Sequence, residues 1–366
     1  MLGWAEVRLR RDFPRAIALL RSASEEARLQ GRPETQRLGL SNLAFALAQA
    51  GLFTEAEHVL DALPNPGVSS DWDRFEGGLP AANRGCIAFW RGEFDSAIDL
   101  LDPVIAEGSP GHNFEALARL YLVMSLVIVR REDRYRDAAH LLHGISKSDK
   151  HGIPWDTLRR VASAWLAFAE GRDEQARTLA APALTRTGSA MAHALLVELY
   201  RVLGEPVLSG QAFRLAAAAG MPRYALVSTL VTSAGLHSSA GHGTQAHEQL
   251  DRALESAAAE QILAPFLTDD PVIADLLNAH TSQGLKQEEL LRTIYERRNL
   301  HSSALAGIFT AREKEVLACL RTTMTADEIA THLGVAYPTV KFHIRSIYRK
   351  LNVTSRRAAI HAADAG

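Results

Sequence analysis

A chain of 366 residues, 47% hydrophobic and with a formal net charge of −2, is long enough for two or more domains and too apolar to be mainly disordered. Cys86 and Cys319, the only cysteines, lie far apart, which excludes a disulfide framework and points to a reducing compartment. Arg8, Arg10, Arg11 and Asp12 break up the N-terminus, unlike the apolar stretch of a secretory signal. The longest charge-free apolar run, Leu120 to Val129, is about half as long as a membrane-spanning helix. A soluble, cytoplasmic protein with no membrane partner is therefore expected.

The near-neutral total hides an asymmetry. Residues 310–363 hold nine Lys/Arg and four Asp/Glu, and no acid at all occurs from Ile329 to Ala363. A basic end on a mildly acidic body suggests a polyanion as partner.

From the N-terminus to about residue 260 the pattern is helix after helix. Leu40, Leu43, Ala44, Leu47 and Ala48 recur at i, i+3, i+4, i+7 and i+8, which is one face of an α-helix. Gly51 ends that helix, and Ala56, Leu60 and Leu63 begin the next stripe. No segment alternates with period two, so no strand is expected.

A short text recurs through this region. Gly51-Leu-Phe53-Thr-Glu-Ala56 matches Gly92-Glu-Phe94-Asp-Ser-Ala97, with weaker copies starting at Arg11, Asp133, Gly171 and Gly241. Successive starts are 40, 41, 41, 38 and then 70 residues apart, and the last gap leaves room for a degenerate copy near Gly204. In each unit the Gly closes helix A, the aromatic packs the turn, and the small Ala lets helix B approach closely. The pattern resembles tetratricopeptide repeats, with a period longer than the usual 34 residues. That resemblance implies an α-solenoid with a concave face over residues 1–263. Trp90, Trp165, Tyr121 and Tyr200 are either packing residues between helices, the reading we favour, or the lining of an effector pocket.

Pro64 to Ser70 and Gly108 to Gly111 read as loops between repeats. Residues 264–309 read as a helical connector, with a short helix around Pro271 to Ala279, a more polar one from Gln287 to Leu300, and a hinge from His301 to Gly307. Asp269-Asp270 before Pro271 reads as a helix-start cap. His140 and His143 stand at i, i+3 without further Cys or His ligands, so no metal is expected. No Gly-x-x-x-x-Gly-Lys-Ser/Thr phosphate loop, Gly-x-Ser-x-Gly or His-Glu-x-x-His occurs. No enzyme activity and no cofactor are expected.

The final segment, residues 310–366, carries explicit start and stop signals. Thr310-Ala-Arg-Glu313 and Thr325-Ala-Asp-Glu328 fit the capping box, with Met324 and Ile329 as a hydrophobic staple for the second. Gly334 suits a left-handed C-terminal cap, and the next helix begins almost at once, as in a helix-turn-helix. That helix is expected over residues 338–351. Val340, Ile344, Ile347 and Leu351 form its buried stripe, while Lys341, Arg345 and Arg349 share another face, with Phe342 beside them. Such a face suits the major groove, where Lys and Arg donate to guanine O6 and N7 and an aromatic touches a thymine methyl. Asn352 is expected in the left-handed position that follows. Thr354 is expected to cap a fourth helix whose first turn, with Ser355, Arg356 and Arg357, would clamp phosphates.

These residues carry a specific resemblance. Thr310-x-Arg-Glu-x-Glu-Val-Leu, Glu328-Ile-Ala-x-x-Leu-Gly-Val, Thr339-Val-Lys-x-His-Ile-x-x-Ile-Tyr-x-Lys-Leu-x-Val and Ser355-Arg are similar to the LuxR/GerE-type helix-turn-helix of bacterial transcription regulators. The resemblance implies a four-helix DNA-binding domain. It places Lys341, Phe342 and Arg345 in the groove and Thr339, His343 and Lys350 near the backbone or supporting the recognition helix. It also implies double-stranded DNA, RNA polymerase and a second copy of the chain as partners, with the repeats sensing a small-molecule or protein effector. Together with the repeats, Pro265-Phe-Leu and Leu276-Leu277, the module resembles the C-terminal half of large ATP-binding, MalT-like LuxR regulators. Without a phosphate loop, ATP-dependent switching is not carried over.

Thr323 stands where that family usually has Gly, Asp327 where it has a basic or neutral residue, and Ala336 where it has a Ser cap. These departures keep a second reading open, a helical-repeat interaction scaffold whose terminal module does not bind DNA productively.

Overall fold

A computed structural model describes residues 13–63, 78–106, 113–147, 154–185, 189–218, 221–268, 270–281, 287–306, 311–322, 324–335, 337–351 and 353–364. Among them every regular element is helical. The protein is all-α, in two compact units, Met1–Phe266 and Leu267–Gly366. The expected loops at Pro64–Ser70 and Gly108–Gly111 lie outside the described residues, as do Thr310, Thr323, Ala336 and Asn352.

The first unit begins with α1 (Phe13–Leu29) and continues as inner–outer helix pairs. These are α2 (Pro33–Ala50) with α3 (Phe53–Asp61), α4 (Leu79–Trp90) with α5 (Phe94–Ala106), and α6 (Asn113–Ile128) with α7 (Tyr135–His143). Next come α8 (Trp155–Ala169) with α9 (Asp173–Ala180), α10 (Ala190–Val202) with α11 (Pro206–Ala218), and α12 (Arg223–Ser239) with α13 (Gly243–Ala258).

Each pair turns in the same way, which is why the short motif recurs. Gly51, Gly92, Gly171, Gly204 and Gly241 all adopt φ between +73° and +77°, where a Cβ is penalised. The next residue then donates back across the turn. Leu52 reaches Leu47 O at 3.0 Å, Glu93 reaches Ala88 O at 2.8 Å and His242 reaches His237 O at 2.9 Å. This satisfies the last carbonyls of the inner helix. In the third pair Arg130 takes the left-handed position, at φ +52°.

The 70-residue gap between motifs is filled by α10 and α11, joined through Gly204. Ser209 stands there where the other units have Ala, and its hydroxyl donates to Val197 O at 2.7 Å. The motif alanines Ala16, Ala56, Ala97, Ala138, Ala176 and Ala246 are all fully buried, as is Ser209. Small side chains thus let the paired helices approach closely.

The inner helices are buried nearly all round. Every residue of α10 from Ala190 to Tyr200 is buried, and α12 is buried at ten positions between Tyr224 and Gly235. A helix buried on nearly every side lies within a core rather than along an open surface. The expected open concave face is therefore filled, because the array curls until it meets itself. Tyr224 of α12 stacks on Trp90 of α4 and lies parallel to Phe53 of α3. Leu263 N–H donates to Trp90 O at 3.0 Å, and Thr54 N–H to Glu260 Oε2 at 2.8 Å.

Trp90, Tyr121 and Tyr200 are packing residues, each no more than 2% exposed. The Trp90 indole N–H donates to the Tyr121 hydroxyl at 3.1 Å, which donates to Met191 Sδ at 3.4 Å. Trp165 donates to Leu195 O at 3.1 Å. A small cavity remains among Phe45, Gln49, Asn83, Cys86, Leu117 and Tyr121. Burial there pushes the Cys86 thiol up to about 12, so it behaves as a small apolar group.

The second unit opens with α14 (Pro271–Thr281), where Asp270 Oδ1 accepts from Val272 N–H at 2.7 Å as the expected start cap. Helix α15 (Glu288–Ala306) follows. It runs through most of the segment expected to be a hinge, because Ser302 to Ala306 contains no helix breaker before Gly307. Four helices complete the unit: α16 (Ala311–Leu320), α17 (Ala326–Leu333), α18 (Tyr337–Lys350) and α19 (Arg356–Asp364). No helix among the described residues is long and apolar enough to cross a membrane.

Candidate nucleic-acid interface

The α16–α19 module is built around one small core. Val316, Leu317, Cys319 and Leu320 of α16, Ile329 and Ala330 of α17, and Val340 and Ile347 of α18 are buried together. Ile344 and Leu351 pack against them, so the predicted stripe of α18 does face inward. Met324 and Ile329 lie in the same cluster.

Local signals fix how the helices meet. Thr325 closes a complete capping box. Its hydroxyl accepts from Glu328 N–H at 3.3 Å, and Glu328 Oε2 accepts from Thr325 N–H at 2.7 Å. Those hydrogen bonds hold the Glu328 carboxyl below the usual glutamate range. Gly334 ends α17 at φ +64°, and Val335 N–H reaches back to Ala330 O at 3.0 Å. The chain then enters α18 at Tyr337, one residue earlier than predicted. Ser346, on the buried side of α18, donates to Glu313 of α16 at 2.7 Å. This buried bond lies on the same side of α18 as Val340 and Ile347 and adds to the contacts that orient the helix.

With Val340 and Ile347 inward, Lys341 and Arg345 are exposed. Arg349 follows at the next turn of the same face, and Thr339, Phe342 and Lys350 lie on the same helix; the side chains of these four are outside the described residues. No carboxylate occurs on α18, so the helix itself contributes only positive charge to its outer face along successive turns. The Lys341 ammonium lies 5.1 Å from the centre of the Tyr337 ring.

The start of α19 differs from the expectation in two respects. Ser355, not Thr354, supplies the cap, its Oγ accepting from Ala358 N–H at 3.3 Å because α19 begins at Arg356. Ser355 is exposed and keeps its O–H to donate. Arg356, expected at a phosphate, turns into the module instead. Its guanidinium donates to Leu320 O at 3.0 Å, Thr322 O at 2.6 Å, Cys319 O at 3.4 Å and to Met324 O. These carbonyls lie at the open end of α16 and in the loop after it, where an intrahelical N–H partner runs out; Cys319 O also accepts from Thr322 N–H at 3.1 Å. Arg357 is exposed. The inward turn of Arg356 was missed because Arg356 and Arg357 look alike as text, and only the angle between α16 and α19 separates them.

Elsewhere His143 Nδ1 lies 2.7 Å from Ala139 O, within its own helix. Among the described residues no group of three or more His, Cys, Asp or Glu side chains converges on a common point.

Comparison with known proteins agrees with this geometry. Residues 307–363 match the family of bacterial regulatory proteins, luxR family, also called GerE. The chain is 24% identical over 322 residues to the HTH-type transcriptional regulator MalT of Vibrio campbellii, a match covering 87% of this chain and 30% of that protein. It is 38% identical over 85 residues to the transcriptional activator protein ExpR of Dickeya dadantii, covering 23% of this chain and 32% of ExpR. Over 61 residues it is 44% identical to the transcriptional activator protein EsaR of Pantoea stewartii, covering 17% of this chain and 24% of EsaR. The chain thus spans less than a third of the length of each of these relatives. Its C-terminal module is a LuxR/GerE-family helix-turn-helix domain.

Proposed function

We propose, from the premise that residues 307–363 are a luxR-family domain, that the chain is a DNA-binding transcription regulator. Helix α18 lies in the major groove, with Lys341 and Arg345 donating to base edges and Phe342 and Arg349 on the same helix beside them. Thr339, Lys350, Ser355 and Arg357 contact the sugar–phosphate backbone. Two copies bind two half-sites, about 34 Å or a multiple of that apart. The repeat unit responds to an effector or protein partner and governs the module, and RNA polymerase is the downstream partner.

One observation carries this reading. The outer face of α18 is cationic and exposed, while Val340 and Ile347 on its other side are fully buried in a module of the matching family. An ordinary solvated helix face mixes both signs of charge; this one has no acid.

The test is duplex-DNA binding against salt for the whole chain and for Lys341→Ala/Arg345→Ala. A regulator gives a steep fall of affinity with salt and loses about 1–3 kcal/mol of discrimination per base contact removed. Weak binding, equal for both proteins, would instead support the interaction-scaffold reading. For the repeats, a small-molecule screen by thermal shift tests the effector, because a ligand that binds the native state raises its apparent stability.

A further inference from the structure

Among the described residues Tyr337 is one of the few exposed large apolar side chains, 41% exposed, and it opens the recognition helix. The module's core closes on Val340, Ile344 and Ile347 without it. One turn further on, at i+4, Lys341 stands on the same face, and its ammonium lies over the Tyr337 ring at 5.1 Å from the centroid. Pro338 follows Tyr337 and fixes φ in the first turn, so the backbone that carries the ring is stiff.

The chemistry of the pair is asymmetric. A carboxylate partner would neutralise Lys341 and add an acid to a face that must approach phosphates. An aromatic face attracts the ammonium through its quadrupole and leaves the full positive charge, with N–H groups on the far side still able to donate. A free lysine is a flexible point charge that contacts phosphates or bases with little selection. A lysine held by its neighbour has fewer positions to choose from, and the ordering cost is met before binding.

From this juxtaposition we infer that Tyr337 is a specificity-determining positioning residue. Its ring holds the Lys341 ammonium at the start of α18 so that Lys341 reads a guanine edge, at O6 and N7, rather than a phosphate. The inference rests on the DNA-binding reading above and adds the base and the residue that selects it.

The test uses the full chain and three variants, Tyr337→Phe, Tyr337→Leu and Lys341→Ala. Preferred sites are selected from random duplexes, and competition binding then measures the guanine preference at each position. Tyr337→Phe keeps the aromatic face and is expected to keep the wild-type profile. Tyr337→Leu keeps bulk but loses the quadrupole, and is expected to lose guanine preference about two- to five-fold at one position. That position is the one Lys341→Ala erases. Affinity for random DNA and its salt dependence stay unchanged in Tyr337→Leu, because the charge of Lys341 is retained.

A second measurement needs no DNA. The side-chain methylene protons of Lys341, in lysine-labelled protein, are expected to show an upfield ring-current shift in the wild type and Tyr337→Phe that vanishes in Tyr337→Leu. Identical site profiles for Tyr337→Leu and wild type, with Lys341→Ala alone altered, overturn the inference while leaving the DNA-binding reading intact. Absent ring-current shifts in the wild type overturn it as well. No salt-dependent DNA binding by the wild type removes both.

Discussion

The ring of Tyr224 stacks on that of Trp90 with centroids 4.5 Å apart and planes 22° from parallel. The two residues are 134 positions apart and belong to helix pairs that a simple linear array would hold far from each other. Their contact is the centre of the seam where the repeat unit closes. Truncating Trp90 to Ala is expected to destabilise the unit by about 3–5 kcal/mol. A double-mutant cycle with Tyr224→Ala, read from urea midpoints, should give a coupling of about 0.5–1.5 kcal/mol. Additive effects would mean that the seam is open in solution.

Gly51 and Gly241 make a controlled comparison. Both have φ +77°, so an added Cβ carries a backbone penalty of about 1–2 kcal/mol at either site. At Gly241 that Cβ meets nothing within 4 Å, but at Gly51 it comes within 3.1 Å of the Arg223 backbone nitrogen and Cβ across the seam. Gly51→Ala should therefore lower the urea midpoint clearly more than Gly241→Ala. Equal losses would show that Arg223 yields without cost.

Arg356 separates a structural role from a phosphate contact. Arg356→Ala is expected to destabilise the module by about 1–3 kcal/mol, since it strands carbonyls of α16 and its following loop. Lysine should not rescue it, because one ammonium cannot span the carbonyls that the planar fork reaches. The slope of log affinity against log salt should be unchanged at temperatures where the variant is folded. A slope lower by about one would mean instead that Arg356 neutralises a phosphate.

The Thr325 capping box predicts both a mutational and a pH effect. Thr325→Ala is expected to cost about 1 kcal/mol, read as a lower midpoint for the module. The Glu328 carboxyl is held below its unfolded value by its hydrogen bonds to Thr325. Its contribution is therefore fully present above the unfolded pKa and is lost as pH falls through the folded one. Stability measured from pH 6 downward should fall less for Glu328→Gln than for the wild type.

Asp156 gives the same sign in the repeat unit. Burial pushes its carboxyl up, but hydrogen bonds from Arg160 and Arg159 at 2.8 and 2.6 Å outweigh this and leave it lowered. Acid should weaken the wild-type unit more than Asp156→Asn, with the difference developing below the unfolded aspartate range.

Much of this was legible in the text. Gly, aromatic and Ala at fixed offsets gave the helix pairs because each has a local job, and Thr325, Glu328 and Gly334 marked the ends of α17 because caps are local chemistry. The alternation of Val340 and Ile347 with Lys341 and Arg345 gave the orientation of α18. What escaped were features set by the angle between distant helices. The filled interior of the repeat unit depends on how far each pair rotates relative to the last, and no single repeat encodes that sum. The same holds for Arg356, whose direction follows from where α19 crosses α16. Helix α15 ran past its expected end because alanine and leucine extend a helix whatever lies beyond.

The seam at Trp90 and Tyr224 also joins the second helix pair of the first unit to the last one. An open stack tolerates duplication or loss of a member, since each neighbour sees the same surface as before. A circle with a joint does not, because one pair more or fewer would carry Tyr224 away from its partner. A duplicated or deleted pair is therefore expected to cost the unit this contact, and the pairs that share it are expected to melt together rather than one after another from an end.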